Sequence, residues 1–433
     1  MKDEDGDDRT GIAAAPSGGH ARRRLAATAG LAVVLVGAYL GWRATTLAGL
    51  PDVPDPFDRA TSGTIDIPDD QNAFTFYRLA TDAFPGFESD LPATPVFTEW
   101  SEVTPAHLAT LEAKRRSLEL WFEGTRRDRA VHIQPRDAMF HLSLPVTQRL
   151  LSFAKLANLE AFRRQIEGDL VGAWTWIRAN LRASRHSGTN GFFSERCVGV
   201  VNFEDASRQA KVWANDPIVG AGLLRTALDD VLAIDALTPD ISETVRHEYF
   251  AAMNSLDDPV LRRLWLDDGA NTTLPTGLRA RLKHRADDAA DFLMHEPERS
   301  RRLIKWAVVN WLSVAKLPAP ERASRVIKLG KRSAYGTAPG APNGVSPEIL
   351  ARWVESARYA RTYQFIWSNG EQTFVRDERN RAGLIVHLAE QLHLRDRGAL
   401  PATPEALVGP YLKAIPAGYD RPPARPEAPG PPR

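Results

Sequence analysis

The sequence predicts an all-α protein: an N-terminal transmembrane helix followed by an exported domain of antiparallel helical hairpins, with little or no sheet. Three observations predict it. Apolar residues recur at helical spacing in segment after segment between Thr104 and Arg397. No sustained alternating run bounded by hairpin turns interrupts them. Residues 25–42, LAATAGLAVVLVGAYLGW, are 18 residues without a formal charge, close to the roughly 20 that cross about 30 Å of hydrocarbon. At 433 residues, 43% apolar and 25% charged, the chain is long enough to bury the core of one large or two ordinary domains.

The leader, residues 1–24, is acidic and then rich in Gly, Ala and Ser, with too little apolar material to fold. It ends in Arg22, Arg23 and Arg24, whereas only Arg43 follows the apolar run closely. The positive-inside rule therefore places the N-terminus in the cytoplasm and the rest of the chain outside, as a single-pass protein of the cell membrane. A cleaved signal peptide ending near Thr46-Leu47-Ala48 and a twin-arginine export signal are the alternatives, and the long leader and long run favour an uncleaved anchor at 25–42. All three readings export the domain. Residues 43–69 are rich in proline and aspartate and read as a spacer holding the domain away from the bilayer.

The helical domain is expected over 70–416. Thr104 and Pro105 form a cap and first turn, and Leu108, Leu111, Leu118 and Trp121 then extend a helix to about Gly124. Residues 146–166 and the segment LVGAWTWIRANLRASRHS flank Gly168-Asp169 as a helical hairpin. This pair resembles a tetratricopeptide-like unit in architecture, but no 34-residue period repeats it. Further helices are expected at 192–214, 218–236, 241–256, 278–295, 301–317, 347–368 and 371–397. Ser346-Pro347-Glu348 opens one of them and Asn369-Gly370 closes it. Leu384, Ile385, Leu388 and Leu392 make a core-facing stripe, Gly398 suits a helix end, and Pro401 prevents continuation. Thr403, Pro404 and Glu405 start a short helix that folds Leu407, Tyr411 and Leu412 back onto the body as a lid. Residues 417–433 are too proline-rich to pack.

Composition excludes several chemistries. A net charge of +1 gives no global attraction to nucleic acid, and an exported domain does not meet it. The single cysteine, Cys197, sits among apolar neighbours and reads as a packed thiol. His387 and His393 lie six positions apart, about 120° from a shared helix face, and His247-Glu248 lacks the second histidine of an HExxH motif. No Gly-rich phosphate loop is present, YGTAPGAPNG at 335–344 reads as a flexible connector, and there is no GxSxG elbow. No cofactor, no metal site and no catalytic residue are assigned. Glu160 and Arg164 read as a solvated ion pair. Glu195-Arg196, between Phe192, Phe193 and Val198, is the acidic-basic pair whose neighbours could bury it and shift its carboxylate.

The strongest local asymmetry is residues 299–332, with ten basic residues and one acidic one, Glu321. Arg299, Arg301, Arg302, Lys305, Trp306 and Trp311 form a basic and aromatic patch, read either as a core helix with a basic outer face or as a contact for anionic lipid, an envelope polymer or a protein partner.

IPDDQNAFTFYRLA at 67–80, the Glu-Gly-Asp turn at 167–169 and the tail LIVHLAEQLHLRDRGALPATPEALVGPYLKAIP together resemble a family of membrane-anchored, largely helical bacterial proteins without an assigned activity. The resemblance implies the same architecture and no catalytic residue. The tail, with Gly398, Pro401, Leu407, Tyr411-Leu412 and Pro416, is also similar to the post-helix segment of type II secretion pseudopilins, but their leader-processing site and their final strand are missing here. Two function classes follow: a binding or structural module at the cell envelope, and an envelope hydrolase with a carboxylate site, Glu195 among its members, in a helical cleft.

Overall fold

The computed structural model describes residues 18–50, 52–84, 96–140, 145–266, 278–329, 332–335, 346–361, 363 and 370–420. Its helices in chain order are α1 (Gly18–Leu47), α2 (Arg59–Ser62), α3 (Ala73–Asp82), α4 (Pro105–Ala113), α5 (Arg115–Thr125), α6 (Pro145–Ile166), α7 (Leu170–His186) and α8 (Phe193–Asn215). They continue with α9 (Ala221–Asp235), α10 (Ile241–Asp257), α11 (Pro259–Leu266), α12 (Leu278–Met294), α13 (Glu296–Val314), α14 (Ala319–Ser324), α15 (Pro347–Ser356) and α16 (Gly370–Arg397). The sheet among the described residues is one antiparallel hairpin, β1 (Val326–Leu329) with β2 (Arg332–Tyr335), in which Val326 faces Tyr335. The protein is all-α apart from this ribbon.

Local chemistry accounts for the boundaries. Thr104 Oγ1 accepts the His107 N–H at 3.2 Å, and His107 Nδ1 accepts the Thr104 N–H at 3.3 Å, so both ends of the cap are satisfied. The α6–α7 turn needs Gly168, whose φ is +84°, and Asp169 caps α7 by accepting the Gly172 N–H at 2.8 Å. Gly398, at φ +74°, ends α16 and donates to Leu394 O at 2.9 Å.

Three apolar clusters form the core. Phe74, Tyr77, Trp121, Phe153 and Phe162 join α3, α5 and α6. Trp174, Trp213, Leu224, Leu388 and Leu392 join α7, α8, α9 and α16, and this cluster is closed from beyond the α16 terminus by Leu407, the last residue of a 3-10 turn at Pro404–Leu407, and by Leu412 after it. Tyr249, Phe250, Leu303, Trp306, Trp311 and Tyr363 join α10 and α13 to the segment after α15. Each large side chain removed from water contributes roughly 1.5–3 kcal/mol.

Several expectations change. The helix expected from 104 to 124 is two helices broken at Lys114, whose ammonium is drawn over the Phe84 ring at 4.4 Å. The helix expected at 301 begins at Glu296, with Pro297 in its first turn. The helix expected over 347–368 is broken at Ala357, whose N–H turns back to Trp353 O at 3.0 Å, and helix resumes at Arg358. Glu160 is not solvated: it is buried and held by Arg163 and Arg164, at 2.8 Å each. Burial pushes its carboxyl up, but the two guanidiniums outweigh this and hold it below the usual range.

The region 43–69 is not a free spacer. Leu50 and Val53 enter the core beside α10 and α13, Asp55 pairs with Lys305 at 3.1 Å, and Arg59 pairs with Asp257 at 3.1 Å. It is a strap that pins the exit of α1 to the body. The anchor expected at 25–42 falls within α1, whose described side chains begin at residue 27. Among the described residues no helix is long and apolar enough to cross a membrane. Residues 1–17 of the leader, 336–344 of the connector, Asn369 and residues 421–433 of the tail lie outside the described residues.

Candidate functional site

The basic patch read from the sequence is built quite differently from a docking surface. Trp306 and Trp311 point into the core, as tryptophans on the apolar side of a helix do. Each of the four cations has an acid beside it. Arg299 lies 3.7 Å from Glu296 and donates to Ser356 Oγ at 2.5 Å. Arg301 bridges Glu298 at 2.6 Å and Asp257 at 2.7 Å. Arg302 reaches Glu298 at 3.1 Å and Asp52 at 3.9 Å. Lys305 holds Asp55, which also accepts the Tyr249 hydroxyl. Sequence counting missed this neutralisation because Asp52, Asp55 and Asp257 arrive from other segments.

Beside this helix lies a cavity of about 550 Å³, between the C-terminal end of α10, α11, α12 and the first turns of α13. Its wall carries Asp257, Asp288, Asp291 and Glu298 together with Arg262 and Arg301, closed on one side by Phe292. His295, at φ +51°, makes the sharp left-handed turn between α12 and α13, a conformation uncommon for a residue with a Cβ. Asp291 accepts the Tyr359 hydroxyl at 2.7 Å and Arg358 Nη1 at 3.4 Å, and burial pushes its carboxyl up. Burial also raises Glu298, but the hydrogen bonds from Arg301 and Arg302 prevail and hold it below the ordinary range. Arg262 gives Nη1 to Leu256 O at 3.1 Å, while its buried Nε has no hydrogen-bond partner in the protein. The cavity thus presents carboxylates and a guanidinium toward one volume, an arrangement suited to a ligand bearing both charges.

A second polar group is enclosed where α8 begins. The Asn72 side chain donates to Val131 O at 2.9 Å and accepts Val131 N–H at 3.0 Å, fixing the strand-like segment that carries His132. That ring stacks on Phe74, 4.7 Å between centroids, and its Nδ1 lies 2.6 Å from Glu195 Oε1. Thr147 Oγ1 donates to the same oxygen at 3.0 Å, and Phe192 N–H donates to Oε2 at 2.8 Å. The next amide, Phe193 N–H, donates to Glu248 Oε1 at 2.7 Å. Burial, opposed by that amide and reinforced by the Glu195 charge, pushes the Glu248 carboxyl up to about 7. Neighbouring His247 is pushed down to about 4, chiefly by burial.

Glu195 and Arg196 are both buried, as their apolar neighbours suggest, but they do not pair with each other. Successive helical positions diverge by about 100°, so Arg196 turns the other way and meets Asp377 at 2.9 Å. Cys197 is partly buried and free, and burial raises its thiol. The loop before α8 requires its glycines: a Cβ on Gly191 would stand 2.4 Å from Glu195 Oε2, and one on Gly188 (φ +88°) 2.7 Å from Arg196 Cα.

His387 Nε2 donates to Asn215 Oδ1 at 3.1 Å, and His393 Nδ1 donates to Ala399 O at 2.8 Å; the two do not converge. Among the described residues no group of three or more His, Cys, Asp or Glu side chains is placed to hold a metal ion. Sequence reasoning missed His132, Glu248 and Asp291, which reach their partners 63, 55 and 68 positions away, and Arg262, whose carboxylate neighbours in the cavity wall come together only in the fold. No family model, no curated protein and no solved structure matches this chain.

Proposed function

We propose that the chain is a membrane-anchored binding module of the cell envelope, held by α1 with its N-terminus in the cytoplasm and its helical domain outside. The observation that carries this reading is α1 itself: Leu31, Val33, Val34, Leu35, Val36 and Leu40 are all more than half exposed. Those positions surround the helix, and a helix apolar on every side belongs in a core or a bilayer. Three arginines before the run supply the orientation. Binding is assigned to the cavity between α10 and α13, where Arg262 and the carboxylates of Asp288 and Asp291 would take a ligand bearing both charges. The full chain is expected to stay with membranes through an alkaline carbonate wash and to lose its domain to protease added outside spheroplasts. Release by carbonate, or protection from the protease, would overturn the reading.

The buried carboxylates favour a second reading, a hydrolase using Glu195, because a carboxylate against an imidazole is acid–base hardware. Against it, both Glu195 oxygens are already engaged by His132, Thr147 and the Phe192 amide. A hydrolase would lose turnover of envelope polymers in Glu195→Gln with its thermal midpoint preserved; a structural carboxylate lowers the midpoint instead.

A further inference from the structure

α12 is amphipathic in the reverse sense for a helix packed against a protein body in water. At 100° per residue, Leu282, Ala286, Ala289 and Leu293 fall along one line with Phe292 beside it, and all five are exposed, Leu282 at 57% and Phe292 at 59%. Asp287 and Asp291 are on the other side and face inward, while exposed Asp288 lies at the margin of the face, toward the cavity. Arg358 Nη2 donates to Asp287 Oδ1 at 2.7 Å, and the Tyr359 hydroxyl donates to Asp291 Oδ2 at 2.7 Å. The outward arc of about 120° contains one charged residue, Arg285.

We propose that this outward face of α12 is bedded in the boundary between headgroups and acyl chains of the bilayer that holds α1, so that the domain is seated on the membrane and not suspended from it. The proposal rests on the anchored reading of α1. Three observations select lipid as the occupant. Phe292 stacks on Tyr39 of α1, 6.4 Å between centroids and 29° between planes, so the apolar face of α12 continues the apolar surface of α1. Tyr39 and half-exposed Trp42 stand at the end of the apolar run, where amphipathic rings settle at headgroup level. The strap from Leu50 to Arg59 is tied to α10 and α13 by the core and by ion pairs, which leaves no free tether to lift α12 away. Arg285 is long enough to reach lipid phosphates while its stem lies along the apolar arc.

The test uses the full chain reconstituted in vesicles of phosphatidylcholine and phosphatidylglycerol, with an environment-sensitive fluorophore attached at Leu282→Cys, Ala286→Cys or Leu293→Cys. A probe at Val34→Cys reports α1, one at Val171→Cys reports the exposed α7 surface, and the unmodified chain with its packed Cys197 is the blank. Lipids carrying a shallow nitroxide should quench the α12 probes several-fold more than the Val171 probe, and aqueous iodide should quench them less. Deep nitroxides should quench Val34. Quenching at Val34 with α12 probes open to iodide overturns the proposal while leaving the anchor standing. No quenching at Val34 overturns the anchor and the proposal with it. Shielding of α12 from both iodide and nitroxide lipids assigns the face to a second copy of the chain and also overturns it. All substituted α12 positions are exposed, so unfolding is checked by an unchanged thermal midpoint, and any one of the three suffices.

Discussion

Arg185 on α7 and Asp377 on α16 meet as a two-point ion pair across 192 positions of sequence, with Nη1–Oδ2 and Nη2–Oδ1 both at 3.0 Å. Arg196 reaches the same carboxylate at 2.9 Å and Arg381 at 3.4 Å. All four side chains are buried or nearly so, and Arg185 also lies over the Phe203 ring at 4.4 Å. One carboxylate therefore holds α7, α8 and α16 together. Burial opposes its charge, but the three guanidiniums outweigh this and hold Asp377 far below the usual carboxylate range.

Replacing Asp377 by Asn should destabilise the domain by about 3–5 kcal/mol, because three guanidiniums would lose their buried counter-charge. The measurement is urea unfolding of the two proteins at neutral pH. Since the folded carboxyl is depressed, its stabilisation is present in full above its unfolded value near 4 and is lost only as pH falls well below that. An Asn variant as stable as the parent at pH 7 would contradict the assignment.

Glu248 should behave in the opposite sense. Its folded carboxyl sits at about 7 against an unfolded value of 4.5, so its favourable contribution holds below the unfolded value and drains away as pH rises through 7. Glu248→Gln keeps an oxygen for the Phe193 amide and does not titrate. It should gain on the order of 2 kcal/mol over the parent at pH 8 and little at pH 4.5, read as thermal midpoints across that range.

His186 is fully buried with Tyr77 Oη 2.7 Å from its Nδ1, and burial lowers it to about 3. The unfolded chain binds a proton there near 6.5, so stability is complete above about 7 and falls as the solution is acidified. At pH 5 this one residue costs about 2 kcal/mol. His186→Asn should flatten the decline in midpoint between pH 7 and pH 5; an unchanged slope would exclude His186 as its source.

How far the sequence spoke depended on distance along the chain. The cap at Thr104-Pro105, the turn at Gly168-Asp169 and the stop at Gly398 are local chemistry and were readable. So was the burial of Glu195, from the phenylalanines beside it. Its partner His132 was not, because 63 positions separate them. The basic patch failed for the same reason: Arg301, Arg302 and Lys305 look exposed until Asp257, Asp52 and Asp55 are folded against them. The reversal of α12 escapes hydropathy altogether, since Arg358 lies 71 positions beyond Asp287. The composition of 43–69 suggests a spacer, but Leu50, Val53 and Asp55 meet apolar and cationic partners only in the folded body.

The segment after α16 is a closing element of the core. Leu407 is fully buried among side chains of the α9–α16 cluster, so Leu407→Ala should cost about 2–5 kcal/mol. Loss of less than 1 kcal/mol in urea unfolding would show that the segment merely rests on the surface.

The seating of the domain on the bilayer is measured most directly by energy transfer from a donor at Leu293→Cys, in the full chain in vesicles, to acceptors carried on lipid headgroups. A domain pinned by its strap with α12 against the membrane predicts transfer as efficient as from a donor at Trp42→Cys. Transfer from position 293 no stronger than from Val171→Cys would mean that the domain hangs free of the bilayer, and the account would be wrong.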